Sequence, residues 1–115
     1  MMKETLLSLL LLGSFSAEAT VNVAATTSNL GMLVRTIGGD AVKVTVLAPA
    51  DRDPHFLQAR PSMMIALRNA DLVVSIGAEL EQGWLPAALQ GASNPKVLVG
   101  QPGYFEACAQ VPLID

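Results

Sequence analysis

The residues best suited to chemistry gather in one short stretch, Leu47-Ala48-Pro49-Ala50-Asp51-Arg52-Asp53-Pro54-His55-Phe56. His55 is the only histidine among 115 residues. A neutral imidazole serves either as a proton shuttle near neutrality or as a ligand for Zn²⁺ and related ions. Pro54 fixes its own φ and pushes Asp53 toward an extended backbone, while Pro61 suits the first turn of a following helix. The imidazole is therefore expected on a stiff tether. Asp51, Asp53, Glu79 and Glu81 would lower the local potential toward a cation, yet zinc wants about four donors and one histidine does not complete a site. Composition alone favours plainer roles. A lone histidine after a strand more often braces a loop, Asp51 and Asp53 read as turn braces, and Glu79 and Glu81 read as solvated loop charges.

Catalytic motifs are missing from the sequence. It holds no GxSxG elbow, no GxGxxG or P-loop, no HExxH and no CxxC, so no enzyme is expected and His55 as an acid or base lacks evident partners. A small oxyanion is the alternative ligand. Helix N-termini carry partial positive charge, and Thr26-Thr27-Ser28-Asn29 offers hydroxyl and amide donors that an anion carrier would use.

The elements that must position these groups follow a βα rhythm. Val21 to Thr26 reads as a buried strand. Thr27, Ser28 and Asn29 offer caps to a helix whose buried stripe is predicted at Leu30, Leu33, Val34 and Ile37, ending at Gly38-Gly39-Asp40. Val42, Val44 and Val46 alternate with Lys43 and Thr45, as in an edge strand with one wetter face. After the histidine loop, Met63, Met64, Leu67 and Ala70 mark a second helix, with the methionines as core filler and Arg60 and Arg68 reaching solvent. Leu72 to Gly77 reads as a strand covered on both faces, Gly77 to Gly83 as a loop, Trp84 to Leu89 as a short helix, and Lys96 to Val99 as a fourth strand. This alternation predicts an α/β fold with a four-stranded parallel sheet. The loops Thr26–Asn29, Asp51–Phe56, Glu79–Glu81 and Gly100–Gly103 are then expected to share one rim.

Composition narrows the partners. Half of the chain is hydrophobic, 15% is charged and the formal charge is −3, so disorder is excluded and no basic patch is available to a phosphate backbone. Nucleic acid is not an expected partner. Lys3, the apolar run Leu6 to Leu12 and Ala17-Glu18-Ala19 have the order of a secretory signal peptide over residues 1–19, so the mature domain, 20–115, is expected to be exported. The run is too short to span a bilayer. Cys108 is the single cysteine, so no internal disulfide is available, and it is expected to be a small buried hydrophobe. The ending Val111-Pro112-Leu113-Ile114-Asp115 reads as a chain cut inside a larger protein.

Several pieces together, Val44-Thr45-Val46-Leu47, Asp53-Pro54-His55, Arg60-Pro61-Ser62, Ala70-Asp71-Leu72-Val73-Val74, Gly77, Leu80-Glu81 and Trp84-Leu85, resemble the N-terminal lobe of the zinc/manganese solute-binding proteins of ABC transporters. The resemblance runs from about Val21 to the end. It implies one lobe of a two-lobed metal-binding protein, each lobe a four-stranded βα sandwich, joined by a long helix with the metal between them. His55 matches the family's first histidine ligand; Asp53 and Pro54 match its neighbours, with no ligand role carried over. The other ligands match no position here. Implied further are capture of a divalent metal, zinc first with manganese or Fe(II) as alternatives, delivery to a membrane permease, and a monomer when complete. Phe56-Leu57-Gln58 and Arg60-Pro61-Ser62 depart from the family's common pattern.

Overall fold

The computed structural model describes residues 20–114; the signal peptide read at 1–19 lies outside the described residues. Four strands, β1 (Val21–Ala25), β2 (Val42–Val46), β3 (Leu72–Ser75) and β4 (Tyr104–Glu106), form one sheet in the order β2-β1-β3-β4. Every pairing is parallel, with Val21 opposite Val42, Val23 opposite Leu72 and Val73 opposite Tyr104. The parallel α/β expectation holds, and β2 takes the predicted edge position.

Three helices connect the strands: α1 (Ser28–Gly38), α2 (Pro61–Arg68) and α3 (Leu85–Ala92). Gly31 of α1 lies over Val44 and Val46, which places α1 on one face of the sheet. Ala24 and Val73 point to the other face, where they share the core with Met63, Leu67, Leu85, Ala88 and Leu89 of α2 and α3. The chain thus crosses to the second face after β2, and β1 and β3 become the neighbours between which the winding reverses. In such sheets the carboxyl ends of those two strands border the natural crevice.

Local chemistry explains the boundaries. Thr27 caps α1 by accepting from the Leu30 amide at 3.4 Å, and Pro61 opens α2 as its first-turn proline. Arg68 donates to the Ala92 carbonyl at 3.2 Å, closing the end of α3. Asn94, 5% exposed, uses one amide group to cover the Leu67 and Ala70 carbonyls at 3.0 and 2.9 Å. Buried carbonyls at a helix end need such partners.

Three expectations need correction. The α1 stripe is rotated: Leu33 and Ile37 are 53% and 86% exposed, while Thr27, Leu30, Gly31, Val34 and Gly38 form the sheet-facing line. Small residues at 31 and 38 let the helix settle close to β2, and that proximity outweighs the larger apolar groups beside them. Cys108 is half-buried rather than buried. The fourth strand is not Lys96–Val99, whose β-rich composition is overridden locally. Pro95 begins a single 3₁₀ turn, Pro95–Val97, because the Asn94 side chain accepts from the Lys96 amide at 3.2 Å. Val97 drops into the core with no exposure, and pairing resumes only at Tyr104.

That shift moves Gly100–Gly103 to the opposite rim, at the start of β4. Gly103 donates to the Lys96 carbonyl at 3.1 Å and accepts from the Val73 amide at 2.7 Å. A Cβ there would press into the Lys96 and Asp71 carbonyl oxygens, both backbone, so only glycine fits without moving a strand. Asp71 ties the same end. It accepts from the Asn22 amide at 2.9 Å and pairs with Lys96 at 3.1 Å.

Gly103→Ala is expected to lower unfolding free energy by about 1–3 kcal/mol through overpacking, measured by urea titration. The Asn22 amide, then Lys96, holds the Asp71 carboxyl below its ordinary value of 3.8. Its contribution is therefore complete above that value and is lost as pH falls through the depressed one. Wild type and Asp71→Asn should differ in stability at neutral pH and converge in acid; a constant difference across urea melts would contradict this assignment.

Candidate functional site

The His55 loop leaves the carboxyl end of β2 and rises on the rim predicted for it. Leu47 and Ala48 first dive into the core, their amides bonded to the Ala25 and Thr26 carbonyls at 2.9 Å each. Leu57 returns to the core beyond the loop, at 8% exposure. Between these anchors Pro54–Phe56 forms one 3₁₀ turn capped by Asp53. The Asp53 Oδ1 atom accepts from the His55 amide at 2.9 Å and from the imidazole Nδ1 at 2.8 Å. Asp53 is thus the loop brace expected of it.

That pair fixes the chemistry of the ring. Donation from the His55 amide, then from its ring, holds the Asp53 carboxyl below its ordinary value. An ionised carboxylate only accepts, so Nδ1 is the donor of this contact, and in the neutral ring Nε2 then keeps a lone pair. A carboxylate behind one imidazole nitrogen, with the other nitrogen free, is the usual support of a metal-binding histidine. The His55 side chain is 58% exposed, so a ligand reaches it directly. A cavity of about 210 Å³ lies beside the loop, lined by Thr27, Ser28, Asn29, Pro49 and Pro54 among others. Among the described residues no three His, Cys, Asp or Glu side chains are grouped to hold a metal.

The other rim acids behave differently from one another. Asp51 and Glu79 are exposed. Glu81, read from sequence as a solvated charge, is 4% exposed. One of its carboxylate oxygens accepts from the Thr26 hydroxyl at 2.5 Å and the Ile76 amide at 2.7 Å, and the other from the Gly77 amide at 2.9 Å. It sits between the ends of β1 and β3, where the winding reverses. Gly77 makes this possible with φ +86°, on a side where a Cβ would strike Glu106. Ala78 and Glu79 follow at φ 50° and 71°, a conformation that costs non-glycine residues about 1–2 kcal/mol each.

This arrangement bears on the two ligand classes. The amides at the switch point, which an anion would need, are already taken by Glu81. The Thr26 and Thr27 hydroxyls are also engaged, in the Glu81 contact and the α1 cap. The rim therefore presents an acceptor imidazole backed by carboxylates rather than free donors. Sequence reasoning also missed Trp84, placed only at a helix start. It is fully buried, and its indole N–H donates to the Pro54 carbonyl at 2.8 Å. The Gly100–Gly103 turn is absent from this rim; Ala107–Gln110 takes its place, through the Cys108 amide on the Ile76 carbonyl at 2.9 Å.

Comparison with known proteins points one way. Residues 23–107 match the family model described as zinc-uptake complex component A, periplasmic (ZnuA). The chain is 38% identical over 64 residues to the high-affinity zinc uptake system protein ZnuA of Paracoccus denitrificans, covering 56% of this chain and 19% of that protein. It is 37% identical over 81 residues to the manganese-binding lipoprotein MntA of Bacillus subtilis, covering 70% and 26%. A crystal structure of ZnuA superimposes with a TM-score of 0.60 at 32% identity, covering 65% of this chain and 28% of that one. A periplasmic metal binding protein from Candidatus Liberibacter asiaticus gives 0.57 at 29% identity, covering 65% and 27%. The chain thus spans 19–26% of the length of the two sequence relatives.

Asp53→Ala is expected to release the imidazole. Long-range ¹⁵N–¹H spectra should show the Nδ1–H tautomer dominant in the wild type and the Nε2–H form dominant in the variant. Glu81→Ala orphans two amides and a buried hydroxyl, and should lower unfolding free energy by about 3–5 kcal/mol in urea titration followed by circular dichroism.

Proposed function

The chain belongs to the periplasmic zinc-uptake component A family, and on that premise we propose that it captures a divalent transition metal outside the cytoplasmic membrane and hands it to an ABC permease. His55 is the metal ligand in this reading. The observation that carries it is the Asp53 contact, which commits Nδ1 and leaves Nε2 of an exposed imidazole as the nitrogen that can ligate a metal. The metal is cargo, bound and released with no covalent bond made in it, so the protein acts as a carrier and not as an enzyme.

Zinc is the proposed cargo, with manganese or Fe(II) behind it, because imidazole nitrogen suits zinc better than the harder Mn²⁺ ion. One nitrogen holds no ion tightly, so the remaining donors belong to other parts of the complete protein, which closes over the metal from the opposite side. Supporting this are relatives of which the matched region covers only 19% and 26%. Residues 1–19 act in this proposal as the export signal that brings the carrier to its metal, and the complete protein works as a monomer. Among the described residues no helix is long and apolar enough to cross a membrane.

Calorimetry on the complete protein tests the reading. His55→Ala should weaken Zn²⁺ binding at least about tenfold, equivalent to ~1.4 kcal/mol, and zinc should displace manganese in competition. An affinity within twofold of wild type would remove His55 from the site. Thermal stabilisation by sulfate or phosphate with none by zinc would turn the assignment to an oxyanion carrier.

A further inference from the structure

We propose that Glu81 and Trp84 are positioning residues for the His55 imidazole, acting as one clamp from a segment 26 to 29 positions further along the chain. The proposal rests on His55 being a metal ligand and deepens that reading. Neither side chain is offered as a ligand.

The clamp begins at the sheet. Glu81 is bonded to the Thr26 hydroxyl at the end of β1 and to the Ile76 and Gly77 amides at the end of β3. Its own carbonyl accepts from the Trp84 and Leu85 amides at 3.2 and 2.9 Å, so the first turn of α3 is registered on the same point. Trp84 then reaches outward from the core, and its indole N–H holds the Pro54 carbonyl at 2.8 Å. That carbonyl belongs to the peptide bond leading into His55. A Cβ built on Gly83 would stand 3.5 Å from the His55 carbonyl oxygen, so the backbone of this segment backs the loop directly.

Each link in that path is buried or short. Trp84 and Thr26 have no exposure and Glu81 has 4%, whereas His55 and Phe56 are exposed. The imidazole is consequently a solvent-facing group whose backbone is fastened from beneath to the least accessible part of the domain. The left-handed residues Ala78 and Glu79 show that the segment is held against local preference. The hydrogen bonds to Glu81 supply the holding force. An imidazole fixed before the metal arrives loses little freedom on binding, and affinity rises with that preorganisation.

The test uses the complete protein and two variants, Trp84→Phe and Thr26→Val, each read in two ways. In the metal-free protein, Trp84→Phe should speed hydrogen exchange at the His55 and Phe56 amides at least tenfold while amides of β1 and β3 change less than threefold. Its Zn²⁺ affinity should fall about tenfold. Thr26→Val, which keeps shape but removes one Glu81 partner, should give the same selective pattern at about threefold. Unaltered loop exchange with affinity within twofold of wild type overturns the proposal, and so does uniform acceleration across loop and strands, which marks a merely structural role. Should Trp84→Phe not fold, Thr26→Val carries the same decision. If His55→Ala itself leaves zinc binding unchanged, the ligand reading falls, and loop exchange still decides the clamp.

Discussion

Where the winding of a parallel sheet reverses, two neighbouring strands end side by side and the chain leaves them in opposite directions. The backbone amides exposed there need acceptors, and in this domain one side chain supplies them. The Glu81 carboxylate takes the Ile76 and Gly77 amides and the Thr26 hydroxyl, all beyond reach of the β-ladder. Burying a carboxylate is costly unless its lone pairs are met, and here three donors at the reversal converge on it. The loop after β3 and the end of β1 are fixed by that carboxylate, and the first turn of α3 by the carbonyl of the same residue.

This constraint sets the character of the rim. In many doubly wound domains the same position is open and receives a phosphate on helix and loop amides. A resident carboxylate closes that option and leaves an electron-rich surface. The His55 loop stands on it, stiffened by Pro54, capped by Asp53 and tied inward through Trp84. On the proposed reading, an exposed, pre-oriented nitrogen suits a carrier that must exchange its cargo, since a donor buried on all sides would release metal slowly.

Much of this was legible in the residues. The strands read at 21–26, 42–46 and 72–77 followed from runs rich in valine and lie at 21–25, 42–46 and 72–75 in the structure, and the edge position of β2 followed from Lys43 and Thr45 alternating with valines. The histidine loop was found because proline, aspartate and histidine in that order restrict the backbone whatever surrounds them. The misplaced fourth strand has a specific cause. Lys96–Val99 has strand composition, but Asn94 and Pro95 wind its start into a turn, and the same asparagine is held by carbonyls at and just past the end of α2, some 25 residues earlier. Composition within a window does not register a demand from outside it.

Glu81 and Trp84 were missed for a related reason. In sequence Glu81 sits among Glu79, Gln82 and Gly83 and looks like one more solvated acid. Its burial depends on Thr26, 55 residues away, being brought alongside by strand pairing. The sequence by itself determined the element types, the parallel α/β class and the presence of one imidazole on a stiff tether, because those depend on periodicity and on backbone restrictions within a few residues. Tertiary structure alone decided which rim each turn occupies, which carboxylate is buried and what holds His55 in place. Those are outcomes of long-range pairing, where the partner of a polar group is chosen by the path of the whole chain and not by its neighbours.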